Sequence, residues 1–250
     1  MQGKRKFIMS IAGFDPSGGA GVLADIKTFE AHKLYGLGIT SAITFQNDDE
    51  FSGVNWVGLN DIERQIELQL KKFKVEGLKI GLIENLDILE ALVSRLRERL
   101  PKITIVWDPI LKASAGFEFH KAIDSVKLEK ILSKITLVTP NWTEASILSN
   151  DKDSKAGALE ISKHCMVYLK GGHNDTDKGK DYLFDKGKEN SFRPKKLIQT
   201  EKHGSGCVLS SALLSNIVKG FPLIKACLRA KDYTAHFLNS NKTLLGYHKI

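Results

Sequence analysis

A glycine-rich segment, His203-Gly204-Ser205-Gly206-Cys207, leads directly into a predicted helix and carries the clearest chemical signal of this 250-residue chain. The helix is predicted because residues 208–218 contain no glycine or proline and place apolar side chains at helical spacing. Two glycines before a helix let backbone N–H groups converge on one point, where the helix dipole is positive. Such a loop suits an anion, most often phosphate. The alternative is that both glycines only shape a turn before a core helix.

Cys207 lies in the first turn of this predicted helix, where the helix terminus typically lowers the pKa of a thiol. A phosphate-binding loop and an activated side chain within five residues together predict group transfer. The alternative for Cys207 is a small apolar residue that packs against the core.

A second glycine-rich connection, residues 13–21, follows a predicted strand. Within it, Gly19-x-Gly21-x-x-Ala24 matches the dinucleotide fingerprint of nicotinamide oxidoreductases. Two features argue against that function: the connection is too long for a tight turn, and the second strand ends at residues 44–47 without an acidic residue for the ribose. We therefore favour glycines that let the backbone approach a small ligand, with Asp25 in the helix that follows.

Polar residues also follow three later strands. Asp108 is a candidate magnesium ligand or catalytic group, and its alternative role is a cap of a helix or turn. Asn141-x-x-Glu144 has the form of a helix capping box. Lys170 could neutralise a phosphate or be an ordinary lysine at the end of a strand. The carboxyl ends of parallel strands share one edge of a sheet, which is where ligands bind in open α/β sheets. The sequence has no Gly-x-x-x-x-Gly-Lys-[Ser/Thr] and no Gly-x-Ser-x-Gly, which excludes a P-loop NTPase and weakens a hydrolase function.

The elements that must position these residues alternate along the chain. Short apolar runs predict strands at residues 7–11, 39–44, 78–83, 103–107, 137–139 and 166–169. Helical patterns lie between them, with Asn60 (in a capping box with Glu63), Asn85 and Ser125 as predicted caps. This alternation predicts a mainly parallel sheet covered by helices on both faces.

Two regions break the alternation. Residues 51–59 predict an extra strand or flap, and residues 182–193 predict a hairpin. Gly220 and Pro222 separate the last two helices, as a C-terminal glycine and a first-turn proline. No repeat or long linker divides the chain, so we predict a single domain over residues 1–250.

Composition narrows the function classes. The net charge of +8 comes from lysines spread along the whole chain, which favours solvated helix faces over a nucleic-acid-binding surface. The three cysteines form no metal or disulfide pattern, and we expect a reducing, cytoplasmic location. Neither a signal peptide nor a membrane-spanning run is predicted.

In chain order, these segments resemble the hydroxymethylpyrimidine/phosphomethylpyrimidine kinase family of thiamin biosynthesis, within the ribokinase-like superfamily. The resemblance covers about residues 6–240 and depends on residues 12–21 with 24–29, 46–47, 79–81, 108–109, 139–141 with 144–145, 170–173 and 203–207. It implies a three-layer α/β/α sandwich with a mainly parallel sheet and a small flap or hairpin. It also implies a magnesium-dependent transfer of phosphate from ATP to 4-amino-5-hydroxymethyl-2-methylpyrimidine and to its monophosphate. A homodimer is the usual assembly, with the flap at residues 51–59 as a candidate contact.

The resemblance also implies roles for individual residues. The pyrimidine side is lined by Gly13, Asp25, Thr44, Gln46, Leu82, Ile110 and Cys207. The ATP side is formed by Asn141, Glu144 and Lys170, with Asp108 and Glu144 near magnesium. The N–H groups of Gly204, Ser205, Gly206 and Cys207 hold the transferring phosphoryl group. Cys207 is the predicted base, or at least the partner of the attacking hydroxyl, since a thiol pKa of about 8.5 needs only a modest decrease to reach neutral pH.

Among the positions that depart from the family pattern, Lys202 stands in place of a hydroxyl residue, Leu82 in place of methionine, and Phe45 in place of a small residue. Three other functions remain open from the sequence. They are a pyridoxal or pyridoxine kinase on the same fold, a non-catalytic sensor of pyrimidines or nucleotides, and a basic nucleic-acid-binding protein.

Overall fold

The computed structural model describes residues 5–111, 123–174, 177–194 and 200–249. The strands are β1 Phe7–Phe14, β2 Tyr35–Gln46, β3 Phe51–Trp56, β4 Val75–Ile80, β5 Thr104–Trp107, β6 Leu137–Val138, β7 Met166–Leu169, β8 Asp181–Asp185 and β9 Lys188–Phe192. The helices are α1 Gly21–Ala31, α2 Leu59–Lys72, α3 Leu86–Arg99, α4 Ser125–Leu132, α5 Trp142–Ser149, α6 Ser154–Ile161, α7 Ser205–Val218 and α8 Leu223–Leu238. A short 3₁₀ turn, Gly171–His173, follows β7.

Within the described residues, the strands form one sheet in the order β3-β2-β1-β4-β5-β6-β7-β8-β9. The central strands from β2 to β7 are parallel, whereas β3, β8 and β9 are antiparallel to their neighbours. The predicted parallel sheet, the extra strand and the hairpin are therefore confirmed. Several bounds differ: β1 ends at Phe14 rather than residue 11, β2 covers Tyr35–Gln46 rather than residues 39–44, and β4 covers Val75–Ile80 rather than residues 78–83.

The sheet separates two apolar cores, because successive side chains of a strand point to opposite faces. In β1, Ile8 packs with α1, α7 and α8, and its neighbours Met9 and Ile11 pack with α2 to α6. This arrangement confirms the predicted three-layer α/β/α sandwich. None of the described helices is long and apolar enough to cross a membrane.

Two of the four predicted helix caps, Asn85 and the capping box at Asn141, are confirmed by hydrogen bonds that their side chains accept. Asn85 accepts from the N–H of Ile88 at 3.0 Å. Asn141 accepts from the N–H of Glu144 at 2.8 Å, and the Glu144 carboxylate accepts from the N–H of Asn141 at 2.7 Å, which completes the capping box. Asp124 caps α4 instead of the predicted Ser125.

The other boundary predictions are partly wrong. Helix α2 begins at Leu59 after Gly58, so Asn60 lies inside the helix and cannot cap it. Gly220 has a φ of +85° beyond the end of α7, as predicted for a glycine that ends a helix. Pro222 is the N-cap of α8 and not its first residue.

The connections place a crevice between β1 and β4. The chain passes from β1 to β2 on one side, and β4 lies on the other side of β1. Crevices of this type, at the carboxyl ends of parallel strands, are where ligands bind in open α/β sheets. Helix α7 approaches β4 closely, because a Cβ at Gly77 would lie 2.6 Å from a methyl carbon of Val218.

Candidate active site

The two glycine-rich loops, residues 13–21 and 203–207, are in direct backbone contact. Gly204 has a φ of +71°, and a Cβ at this position would lie 2.0 Å from the carbonyl oxygen of Gly19. Gly21 has a φ of +60°, and its Cβ would lie 2.1 Å from the carbonyl oxygen of Gly13. No other residue type fits at these two positions without moving backbone, which brings the start of α7 against the start of α1.

Asp15 ties the two loops together. Its Oδ2 accepts from the N–H of Ala20 and lies 2.8 Å from Nε2 of His203, and its carboxylate also accepts from the Ser17 hydroxyl. Burial raises the pKa of Asp15, but the hydrogen bonds from His203, Ser17 and Ala20 outweigh burial and hold it below its ordinary value. Asp15 is therefore ionised at neutral pH. The sequence analysis assigned it no role, since His203 is distant in the chain.

The start of α7 has the features of an anion site. The N–H groups in the first turn of a helix have no acceptor inside the helix, and in α7 they belong to Ser205, Gly206 and Cys207. The N–H of Ser205 donates at 3.3 Å to the carbonyl of Lys202. Nζ of Lys170 lies 3.4 Å from the position that a Cβ on Gly206 would occupy. The helix dipole and the lysine ammonium thus act at the same point, as predicted for a phosphate-binding loop.

Lys170, Asp108 and Glu144 form a buried charged group beside this point. Nζ of Lys170 donates to Oδ1 of Asp108 at 2.7 Å and lies 3.5 Å from Oε2 of Glu144. Asp108 also accepts from Thr139 at 3.2 Å and from Ser210 at 3.1 Å. The predicted meeting of strand-end residues at one edge is therefore confirmed for these three.

The two carboxyls of this group differ. Burial raises the pKa of Asp108, but Lys170, Lys79 and the hydrogen bond from Ser210 outweigh it and hold the pKa below its usual value. Burial raises the pKa of Glu144 to about 7, with Lys170 opposing the shift and Asp108 adding to it. Glu144 is thus a buried carboxyl whose negative charge is incompletely balanced, and an added cation would stabilise its ionised form.

These residues fit a magnesium ion that arrives with phosphate oxygens. No group of three or more His, Cys, Asp or Glu side chains in the described part of the chain could hold a metal ion alone. Magnesium is commonly bound through one or two carboxylates together with substrate phosphates, so Glu144 and Asp108 supply suitable donors. Asp108 is already held by three hydrogen-bond donors, which leaves Glu144 as the better candidate for direct contact.

Cys207 lies in the first turn of α7, as predicted, but its pKa differs from the predicted one. Only 8% of the surface of Cys207 is exposed to solvent. Burial raises the pKa of the thiol to about 11, although Lys79 and the N–H of Gly21 lower it. The prediction of a lowered thiol pKa is wrong for this structure, because loss of water outweighs the helix terminus.

Three of the predicted pyrimidine-side residues come together at the carboxyl ends of β1, β2 and β4. A Cβ at Gly13 would lie 3.1 Å from Leu82 and 3.7 Å from the methyl group of Thr44, so these three residues are neighbours. The Thr44 hydroxyl donates to the carbonyl of Phe14 at 2.8 Å. Gln46 ends β2 and is partly exposed, and Ile110 lines a small void beside Gly81.

Asp25 lies beneath the site and does not line it. Its side chain is fully buried, and its carboxylate accepts from Ser10, Lys79 and Ser211. The prediction that Asp25 contacts a substrate is wrong for this structure. Helix α1 turns the residue toward the sheet, and three donors already bind the carboxylate. Lys79, which the sequence analysis quoted only within a motif, forms the ion pair with Asp25.

Lys202 points away from the anion site. Its Nζ donates to the carbonyl oxygens of Asn241 and Thr243 and to Oδ1 of Asn241. The N–H of the next residue, His203, donates to the carbonyl of Leu244 at 3.0 Å. The residue that departs from the family pattern therefore attaches residues 241–244 to the loop.

Comparison with known proteins adds independent information to this geometry. The model of the family described as phosphomethylpyrimidine kinase matches residues 15–249. A hydroxymethylpyrimidine/phosphomethylpyrimidine kinase from Aquifex aeolicus is 33% identical over an alignment that covers 96% of this chain and 97% of that protein. The Escherichia coli protein of the same description is 31% identical over 84% of this chain and 82% of its own length.

Solved structures agree with the fold. A phosphomethylpyrimidine kinase from Clostridium difficile has a TM-score of 0.78 at 30% identity, over 93% of this chain and 99% of that one. A pyridoxal kinase from Staphylococcus aureus in complex with ADP has a TM-score of 0.83 at 26% identity, over 99% of this chain and 94% of that one.

Proposed function

This chain belongs to the phosphomethylpyrimidine kinase family, and we propose that it transfers phosphate from ATP to 4-amino-5-hydroxymethyl-2-methylpyrimidine and then to the monophosphate. Its fold is ribokinase-like, as the resemblance implied. One observation carries the proposal beyond family membership. The start of α7, with Lys170 beside Gly206, forms an anion site next to Cys207 at the end of the crevice that Gly13, Thr44 and Leu82 line.

In the proposed reaction, Lys170 and the N–H groups of Gly204, Ser205, Gly206 and Cys207 hold the transferring phosphoryl group. Phosphoryl transfer needs mainly positioning and stabilisation of charge, which these groups supply without rearrangement. Asn141 and Glu144 belong to the ATP side. A magnesium ion, held through Glu144 with Asp108 nearby, would neutralise the charge that develops on the phosphates.

Cys207 is the proposed partner of the acceptor hydroxyl. As a thiolate, its sulfur takes the hydroxyl proton while the hydroxyl oxygen bonds to the γ-phosphorus and the bond from that phosphorus to ADP breaks. Because the thiol has a pKa of about 11 in this structure, it must first release its own proton to water. The groups around the sulfur therefore decide how much thiolate is available.

Pyridoxal kinase is the second candidate function. The Staphylococcus aureus pyridoxal kinase in complex with pyridoxal has a TM-score of 0.79 at 27% identity. The pyrimidine kinases are more similar in sequence, at 30% for the Clostridium difficile structure and 33% for the Aquifex aeolicus protein. We therefore place the pyrimidine alcohol first.

The deciding experiment incubates the purified protein with ATP, magnesium and either the pyrimidine alcohol, its monophosphate or pyridoxal, and measures ADP and phosphorylated products. We expect both pyrimidine compounds to be phosphorylated and to be preferred over pyridoxal. A strong preference for pyridoxal would replace the substrate assignment. Saturable binding of ligand without ADP release would indicate a sensor and not an enzyme.

We further propose that residues 1–250 act as a single cytoplasmic domain that forms homodimers. Support for self-association comes from apolar side chains that β2 exposes beside the flap strand β3, namely Ile43 at 46% and Phe45 at 48%. Light scattering after size-exclusion chromatography tests the assembly. A dimer that Phe45→Ser converts to monomer is the expected result, and a wild-type monomer contradicts it.

A further inference from the structure

Lys79 has no part in the reaction described above, yet it occupies a costly position. Its side chain is fully buried on β4, and its Nζ donates to the two carboxylate oxygens of Asp25 at 3.0 and 2.9 Å. A buried ion pair is weak evidence for stability, because apolar residues of the same volume often serve the core equally well. The position of Lys79 therefore needs another explanation.

The side chain is accommodated directly beneath α7. A Cβ at Gly77 would clash with Val218 of that helix, so strand and helix are in close contact there. A Cβ at Gly81 would lie 2.9 Å from Nζ of Lys79, so this glycine leaves the space that the ammonium fills. Gly77 lies two residues before Lys79 and so shares its face of β4, and Gly81 lies two residues after Lys79, just beyond the end of the strand.

Hydrogen bonds connect the ammonium to the first turns of α7. Oδ1 of Asp25, one of the two oxygens that Lys79 contacts, also accepts from Ser211 at 2.7 Å. Ser211 is four residues after Cys207, and so lies one helical turn further along the same face. Lys79, Asp25 and Ser211 thus join β4, α1 and α7 immediately below the anion site.

Charge acts on the Cys207 sulfur in addition to these bonds. The charged groups that interact with it come from four parts of the fold and are Lys79 on β4, Asp25 on α1, Asp108 after β5 and Lys170 after β7. Among these charges, that of Lys79 has the largest effect, and it favours the thiolate. Without Lys79, two carboxylates would face the sulfur with Lys170 as the remaining ammonium.

We propose that Lys79 is a positioning residue of the phosphoryl-transfer site, which fixes the start of α7 through Asp25 and Ser211 and favours negative charge on the Cys207 sulfur. Its effect on turnover rests on the proposed kinase function. Its effect on the sulfur does not, and can be measured with no substrate present.

The test compares wild type with Lys79→Met and with the double variant Lys79→Met/Asp25→Asn. The double variant removes both charges and leaves no unpaired buried ion. The measurement is the rate at which methyl methanethiosulfonate modifies Cys207, followed against pH by mass spectrometry of the peptide that carries it. We expect modification to be at least ~10-fold slower at a given pH in Lys79→Met, because one pKa unit changes the thiolate fraction tenfold. In the double variant the decrease should be smaller, because the charge of Asp25, which disfavours the thiolate, is lost as well. Lys71→Met, which removes an exposed lysine, is the matched control and should leave the profile unchanged.

Kinetics supply the second measurement. If the kinase function holds, kcat of Lys79→Met falls at least ~10-fold and the KM for ATP stays within about twofold, because the ammonium acts at the sulfur and not on the nucleotide. A folded Lys79→Met variant with the wild-type modification profile would overturn the proposal, whatever its activity. If neither Lys79 variant folds, Asp25→Asn decides, since it removes a negative charge near the sulfur. Modification slower than wild type in that variant would also overturn the proposal.

Discussion

Two buried aspartate–lysine pairs lie under the same helix and do different things. Asp25 pairs with Lys79, and Asp108 pairs with Lys170. Adjacent serines of α7 bind one pair each, Ser211 to Asp25 at 2.7 Å and Ser210 to Asp108 at 3.1 Å. The Asp25–Lys79 pair is closed, with both side chains fully buried, whereas the Lys170 side chain keeps 11% of its surface exposed beside Gly206.

The difference shows how one type of interaction serves two purposes. The closed pair makes no direct contact with a substrate, since both side chains are fully buried, and it acts through the elements that it holds and through its charge on the Cys207 sulfur. The open pair adds an accessible ammonium to the anion site and a third group, Glu144, within 3.5 Å of that ammonium. Substitutions in the two pairs should therefore separate support of the site from direct contact with phosphate.

The largest effect is expected from Lys170→Met combined with Asp108→Asn, which removes both charges of the open pair. We expect kcat to fall by about 10³-fold, because a preorganised charge at the transferring group is lost. Steady-state kinetics and circular dichroism measure activity and folding. A folded variant with wild-type kcat would show that Lys170 does not contact the phosphoryl group.

Cys207→Ala tests the role of the Cys207 sulfur, which interacts with both pairs. The sulfur interacts electrostatically with both lysines and with both aspartates. We expect phosphoryl transfer to fall by roughly 10²-fold or more if the thiol serves as a general base, with folding intact. Cys165→Ala is the matched control, because Cys165 is also buried but packs in the core on the other face of the sheet. Wild-type turnover of Cys207→Ala would show that the side chain is not needed.

The next effect concerns a third buried carboxylate, which joins the loops above both pairs. Because the pKa of Asp15 is held below its usual value in the folded protein, its contribution to stability is complete above about pH 4 and is lost as pH falls through the folded pKa. Asp15→Asn should therefore reduce the free energy of unfolding by about 2 kcal/mol at pH 7, where a charge-assisted hydrogen bond to His203 is lost. Urea denaturation at pH 7 and near pH 3 measures this. An equal difference at both values would contradict the explanation.

These tests also mark what local sequence could predict. The glycine-rich loops, the capping box at Asn141 and the strand-end positions of Asp108 and Lys170 are local patterns, and the structure bears them out. The Lys79–Asp25 pair joins residues 54 positions apart, and the Asp15–His203 contact joins residues 188 positions apart. Local spacing does not encode such contacts.

The prediction of a lowered pKa for the Cys207 thiol was wrong for a related reason. A helix terminus is visible in the sequence, but the burial of Cys207 depends on how α1, β4 and α7 pack around it. Asn60 shows the same limit on a smaller scale. Its spacing to Glu63 fits a capping box, but α2 begins at Leu59 with Gly58 as its N-cap, two residues before the predicted cap.

The smallest effect is expected at Lys202, a third buried lysine whose acceptors are neutral. Its Nζ donates to two carbonyl oxygens and one amide oxygen of residues 241 and 243. Lys202→Thr, which restores the hydroxyl residue of the family pattern, should lower the free energy of unfolding by about 1 kcal/mol and Tm by about 2–4 °C. Turnover should change less than in Cys207→Ala. Lys163→Thr, at an exposed lysine paired with Glu160, is the control and should change stability by at most about 0.5 kcal/mol. If Lys202→Thr instead abolished turnover while folding persisted, Lys202 would belong with Lys170 as a group that acts at the phosphate, and the distinction between supporting and contacting lysines would have to be redrawn.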